Sequence, residues 1–350
     1  MSAEERIQKW IENGDETAVL NLSGLNVEEL PELPPNVQQL NCNYCFNLKE
    51  LPKLPESLQI LNCSSCHNLK ELPKLPPNLQ ELYCSYCYNI KELSKLSPNL
   101  QILYCSYCPN LKELIELPES LQKLNCSYCH NLEELSELPL NLKKLECCDC
   151  PKFKELIKLP TSLIELDCSS CSNLKKLIKL PESLQILICY SCYELDELPE
   201  LPSKLQKICC YSCPIKKLPE LPTSLIDLFC YNCCNIEELP KLPLNLQELT
   251  CSACPIKEIP ELPPNLQVLN CSKCVRLKEL PELPELIRFL NCSSCPIEFL
   301  PKLPESLQKL FCVRCSIEEL SELPQKLEYL ECSYCPIESL PSILPMEVYL

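Results

Sequence analysis

Cysteine pairs are the side chains of this sequence with the most chemistry on offer. Cys-x-x-Cys begins at Cys42, Cys63, Cys84, Cys105, Cys126, Cys147, Cys168, Cys189, Cys210, Cys230, Cys251, Cys271, Cys292, Cys312 and Cys332. These fifteen pairs hold 30 of the 33 cysteines; Cys148, Cys209 and Cys234 are extra. A single such pair at a helix start is a redox motif, but fifteen copies are not. Pairs on neighbouring segments (Cys63 and Cys66, Cys84 and Cys87, Cys105 and Cys108, Cys126 and Cys129, and their equivalents) are candidate ligands for zinc or an iron–sulfur cluster. Disulfides fit an odd total of cysteines poorly. The plain alternative is two columns of reduced thiols, each acting as a small hydrophobe with a weak S–H donor. That alternative is favoured, with no cofactor. The Leu columns ahead of the pairs (Leu58, Leu79, Leu100 and onward) are nearly as constant, so constancy does not single out the thiols as ligands.

Little else in the chain offers catalysis. There are two histidines, His67 and His130, with no acid or nucleophile at a fixed spacing from them. Two glycines, Gly14 and Gly24, are too few for a phosphate-binding loop. The net charge of −16 excludes phosphate-driven nucleic-acid binding. No apolar run approaches the roughly 18–20 residues of a membrane span, and the charged start has no secretory signal. The expectation is a non-enzymatic protein of the reducing cytoplasm.

Stepping the pairs along the chain exposes the elements that carry them. Successive pairs lie 21 residues apart eight times, then 20 or 21 apart. One unit, Leu72 to Glu92, reads LPKLPPNLQELYCSYCYNIKE. Around Leu82 and Cys84 the pattern alternates with period two, which predicts a short strand. The following Leu-Pro-x-Leu-Pro lacks N–H donors and favours an extended, polyproline-like return. One strand per unit means a stack of coils with a parallel sheet, each coil burying its leucines against the next. Ser2 and Glu5 form a capping box, with Ile7, Trp10 and Ile11 on one face and Asn13-Gly14 as the stop, so a short helix should lie over the first coil. The expected division is a cap helix over 1–17, a solenoid over 18–340 (one degenerate repeat and fifteen regular ones), and a partial coil over 341–350. An uncovered final strand would favour end-to-end self-association.

The pattern L-x-x-L-x-[LC]-x-x-[NC]-x-L with an LPxLP leader resembles the bacterial-effector type of leucine-rich repeat, as in the IpaH and YopM effectors, from Leu20 to about Leu340. Similar cysteine-bearing arrays occur in giant viruses of amoebae. The resemblance implies a curved sheet on a concave face and an irregular convex face. It implies that the first cysteine takes an inward Leu position, and the second an Asn that normally bonds to the neighbouring coil. It also implies action in the host cytoplasm if the chain is a pathogen or viral product. The ligase domain of some members has no counterpart before Leu350, so no ubiquitin transfer is carried over. A substrate-recruiting adaptor or effector without its own catalytic domain remains open.

The outward face supplies the candidate site. Tyr44, Tyr83, Tyr86, Tyr104, Tyr107 and Tyr128 cluster toward the start, and Tyr190, Tyr211 and Tyr231 lie one position earlier in their coils. Tyrosine offers large contact area at low entropy cost, which suits a protein partner; a ladder that only stabilises the sheet is the other reading. Gln59, Gln80, Gln101 and Gln122 are expected to form an amide ladder, and Lys-Glu pairs such as Lys49-Glu50 to lie in solvent.

Overall fold

A computed structural model of the chain describes residues 1–93, 95–114, 116–135, 137–156, 158–320, 322–338, 345 and 347–349. It comprises two compact units, Met1–Asn173 and Leu174–Leu350.

The first unit opens with helix Ala3–Asn13. Ser2 caps it through a reciprocal bond pair with Glu5, and Gly14 ends it at φ 68°. Trp10 is buried and donates through its indole N–H to the Ala18 carbonyl at 2.9 Å, while Arg6 donates to the Ser23 carbonyl at 2.8 Å. The buried stripe is Ala3, Ile7 and Trp10, whereas Ile11 is exposed. Ile11 was expected on the inner face. The helix instead turns Ala3 inward with Ile7 and Trp10, because seven residues complete two turns of one stripe.

Strands then follow one per coil: Leu20–Asn21, Gln39–Asn41, Ile60–Asn62, Glu81–Tyr83, Ile102–Tyr104, Lys123–Asn125, Lys144–Glu146 and Glu165–Asp167. Each pairs in parallel with the next in strict register, as in Leu40 to Leu61 and Leu61 to Leu82. The second unit repeats the scheme from Ile186–Ile188 through Lys207–Cys209 and Asp227–Phe229 to Tyr329–Glu331 and Glu347–Tyr349. Both units are the expected repeat solenoid with a parallel sheet. Of the partial coil expected over 341–350, residues 341–344, 346 and 350 lie outside the described residues.

The middle residue of each strand points inward. Leu58, Leu61, Leu69, Leu79 and Leu82 have no exposed surface. A fully buried leucine contributes about 1.5–3 kcal/mol, and stacking is what makes that burial available to coils this thin. Most return paths close on a turn in which a proline carbonyl accepts from the N–H three residues on, as in Leu58 to Pro55 and Leu79 to Pro76, both 3.1 Å, with Ser97 in the proline's place for Leu100. Proline has no N–H to satisfy, and here its carbonyl is satisfied. Ser57 and Ser120 staple consecutive coils by donating to carbonyls of the preceding one at 2.7–2.9 Å.

Two residues after the first cysteine, every coil turns left-handed. Tyr44, Ser65, Tyr86, Tyr107, Tyr128, Asp149 and Ser170 in the first unit, and Ser191 to Tyr334 in the second, have φ between 48° and 63°. In the first repeat that place belongs to Gly24, at φ 67°. The turn continues the ladder past the strand, because the N–H of Tyr86 donates to the Ser106 carbonyl at 2.8 Å and that of Tyr107 to Ser127.

The glutamine column does not form its amide ladder at Gln59, Gln80, Gln101 and Gln122. Their backbone carbonyls are the bonding groups: that of Gln59 accepts from Gln80 at 2.8 Å and from Glu81 at 3.0 Å. The side chains are left in solvent, apart from a 3.4 Å bond from Gln267 to Gln247 in the second unit.

Candidate partner-binding surface

The two cysteine columns lie behind the sheet. The first cysteines, Cys42, Cys63, Cys84, Cys105 and Cys126 among them, are completely buried. The second cysteine of each coil reaches back one coil and donates its S–H to the carbonyl of the first cysteine there. Cys66 donates to Cys42 at 3.2 Å, Cys87 to Cys63 at 3.2 Å, Cys108 to Cys84 at 3.3 Å and Cys129 to Cys105 at 3.2 Å. The second unit repeats this, with Cys213 on Cys189, Cys254 on Cys230 and Cys295 on Cys271, each at 3.1 Å. The thiol stands where the resemblance implies asparagine, and it fills the same main-chain acceptor.

The cysteines of both columns, Cys42, Cys45, Cys63, Cys66, Cys84 and Cys87 among them, are free thiols. Burial and the neighbouring thiols push Cys105 and Cys108 well above the ordinary thiol value, and burial takes Cys129 up to about 12. These thiols are therefore neutral donors near pH 7. Among the described residues, no three His, Cys, Asp or Glu side chains converge as a metal site would require.

The tyrosines separate into three groups. Tyr83 and Tyr104 sit on the strands, edge to face at 5.3 Å. Tyr86, Tyr107 and Tyr128 occupy the left-handed turn and stack nearly parallel, at 4.3 Å and 4.1 Å. Tyr190, Tyr211 and Tyr231, one residue earlier, form an equal stack at 4.4 Å and 4.2 Å in the second unit. Tyr44 is separated from Tyr86 by Ser65 and meets Phe46 edge-on at 6.1 Å. The stacking distance follows from the roughly 4.8 Å strand spacing: identical positions in adjacent coils place flat rings at near-contact separation. Tyr44 is 55% and Tyr86 39% exposed, and the other rungs are half-buried. Tyr83 donates to the Glu81 carboxylate at 2.8 Å, and burial together with that carboxylate pushes its phenol up to about 12. Burial and the adjoining phenols also raise Tyr86 and Tyr107. The surface offers neutral O–H groups on rigid rings, which suits recognition by contact.

Further aromatics share these faces and lie outside the tyrosines singled out from the sequence. Phe46, His67 and Tyr88 stack along the outer turn at 4.8 Å and 4.5 Å, each directly after a second cysteine. Phe289, Phe311, Tyr329 and Tyr349 zigzag across the strands of the second unit at 4.9–5.5 Å. Counting back from the cysteines reveals Phe289 and Tyr329, three residues before Cys292 and Cys332, and Phe311, one before Cys312. His130, read as lacking an acidic companion, has one across the coil boundary in Asp149, at 3.1 Å. The separation of 19 residues falls short of the repeat because the two occupy different turn positions.

Two solved structures resemble the chain over almost its whole length. YopM, a leucine-rich effector protein from Yersinia pestis, is 31% identical, with a TM-score of 0.72 over 99% of this chain and 92% of that one. YopM from Yersinia enterocolitica WA-314 is 29% identical, with a TM-score of 0.63 over 99% and 89%. No protein-family model matches the chain. No curated protein matches it either.

Proposed function

The chain belongs to the leucine-rich repeat family of YopM, and from that footing we propose that it is a non-enzymatic scaffold that holds a protein partner against its sheet face. The observation carrying this reading is the pair of stacked tyrosine ladders, Tyr86–Tyr107–Tyr128 and Tyr190–Tyr211–Tyr231. Rings held at both faces lose no rotamer freedom on binding, so their exposed edges and hydroxyls are pre-organised contacts. Tyr44 and the Tyr83–Tyr104 pair add aromatic surface in the same unit without joining the stack. The net charge of −16 favours a basic protein partner over nucleic acid. None of the described helices is long and apolar enough to cross a membrane. Free thiols in every coil suit a reducing compartment, the cytoplasm, or the host's cytoplasm for an effector.

The test is comparative capture with a photo-crosslinker placed at Tyr107 or Tyr211. A partner should crosslink from these rungs and be lost when Tyr86 and Tyr128, or Tyr190 and Tyr231, become serine. Serine is the residue that the left-handed turn carries at Ser65 and Ser170, and that the position before it carries at Ser64 and Ser85, so the fold is kept. Unchanged capture by both double variants, with unchanged circular dichroism, would remove the ladders from the contact surface.

A further inference from the structure

The first tyrosine ladder is asymmetric at its ends, and one end is chemically specific. Tyr128 is its last rung. One ring face lies on Tyr107 at 4.1 Å, and the parallel stacking turns the other face toward the next coil. There the same turn position belongs to Asp149, at φ 48°. A carboxylate is too small to cover a phenol ring, so the face of Tyr128 ends against an anion.

The surroundings add to that anion. Glu146, Asp149, Glu165 and Asp167 crowd the last two coils of the first unit, with Lys144 as the cation on their strands and Lys123 beside it on the strand before. Lys144 is already divided between Glu146 at 3.2 Å and Glu165 at 3.0 Å. Among the described residues, the Asp149 side chain meets only the imidazole of His130. An open aromatic face beside an under-neutralised carboxylate is the recognition pattern for a planar cation.

The chain itself supplies a template in the second unit. Arg314 and Tyr334 occupy the same left-handed turn position of consecutive coils, at φ 55° and 63°. There the guanidinium lies over the phenol ring, 5.3 Å from its centroid. Arg314 is there the rung before the tyrosine, so this column of turns accepts an arginine against a tyrosine of the adjacent coil.

We infer that the Tyr128 end of the ladder binds an arginine side chain of a basic partner segment, with the guanidinium stacked on Tyr128 and its N–H groups on Asp149. This rests on the scaffold reading and names the chemistry of what the scaffold holds. Arginine fits better than lysine, because a planar fork stacks and bonds a carboxylate at once, whereas an ammonium does only the second. A neutral aromatic side chain would cover Tyr128 but leave Asp149 desolvated and unpaired.

The test uses the full chain and two fluorescent peptides, Gly-Ser-Arg repeats and the same peptide with lysine, followed by anisotropy at low salt. Each variant places a residue that this turn already accommodates elsewhere: Asp149→Asn (compare Asn232), Tyr128→Ser (compare Ser170) and Asp149→Arg (compare Arg314). The arginine peptide should bind about fivefold or more tighter than the lysine peptide. Asp149→Asn and Tyr128→Ser should each weaken it roughly tenfold. Asp149→Arg should abolish the arginine preference by seating its own guanidinium on Tyr128. Ser294→Gly, a turn of the second unit remote from any tyrosine rung, should bind as the unaltered chain does. Equal affinity for both peptides, or no loss in Asp149→Asn, overturns the arginine site. If partner capture still depends on Tyr86 and Tyr128 while the peptide affinities stay level, the scaffold reading stands and only the arginine site falls.

Discussion

Raising the pH from 7 to 10 should unfold this protein over a narrow range, and the buried thiols set where. Cys63, Cys84, Cys105, Cys126, Cys147, Cys189, Cys210, Cys230, Cys251 and Cys292 all lie in the first cysteine column and all sit well above the ordinary value of 9.0, through burial and neighbouring thiols. In the unfolded chain the same thiols ionise near 9. The folded value is the higher one, so the folded state holds its protons where the unfolded state sheds them. The contribution to stability is complete below the unfolded value and is lost as pH rises above it. Each such thiol favours unfolding by less than about 1 kcal/mol at pH 9 and by about 1 kcal/mol at pH 10. Ten together remove a few kcal/mol and then on the order of 10 kcal/mol, which spans the usual stability of a folded protein. The assay is urea unfolding between pH 7 and 10 under reducing, oxygen-free conditions, with thiolate absorbance at 240 nm recorded beside far-ultraviolet circular dichroism. Most of the thiolate should appear in one steep step, coincident with loss of structure and below pH 10, after a smaller early rise from Cys335, whose thiol the bond with Cys312 lowers to about 7. A gradual rise centred near 9 with the fold intact would mean that the columns are solvated, and would refute the burial argument.

The remaining predictions concern single positions. Ser191→Gly, at φ 54°, should stabilise the chain by about 0.5–1 kcal/mol in chemical denaturation, whereas Ser191→Val should destabilise it by more than about 1 kcal/mol. A double-mutant cycle on Tyr107 and Tyr128 should give a coupling of about 0.5–1.5 kcal/mol from the stack between them. Cys108→Ala leaves the Cys84 carbonyl without its donor and should cost about 1–3 kcal/mol, against nearly nothing for the exposed Cys234. In the native state a thiol reagent should reach the exposed Cys234 and the half-buried Cys148 and Cys335, whose thiol the bond with Cys312 lowers to about 7, with the buried cysteines of the columns reacting only in denaturant.

The fold was legible because a repeat averages out local ambiguity. A three-residue strand such as Glu81–Tyr83 has too little pattern to be read alone, but its phase relative to Cys84 recurs in every coil. The helix was legible from its caps, yet the inner face was misjudged at Ile11, since a hydrophobic residue at the edge of a stripe can turn to either side. The glutamine column misled for a related reason. Regular spacing shows that side chains align, while the carbonyl of Gln59 was already able to take both neighbouring N–H groups. The site was only partly legible. Spacing placed Tyr83 and Tyr86 on one face, but Tyr86 itself is left-handed, which sends it into a separate stack. Nothing in the composition announces a positive φ when serine, tyrosine, aspartate and lysine all adopt it. The His130–Asp149 pair crosses coils at different turn positions, so no fixed interval could disclose it.

The thiol bond between coils, as from Cys66 to Cys42 or from Cys87 to Cys63, ends on a main-chain carbonyl. The junction between one coil and the next therefore carries no sequence memory, and any coil can follow any other that keeps the leucines and the two cysteines. A stretch of 20 or 21 residues is thus a unit of growth as well as of structure. Duplicating or deleting one in frame reconnects every strand bond and every thiol bond, and changes only which outward residues become neighbours. The tyrosine stacks are the part such an event would rewrite: an inserted coil parts two rungs, and a lost coil can bring two together. Length and core can drift in this molecule at little cost, while the contact surface is re-dealt each time a coil is gained or lost.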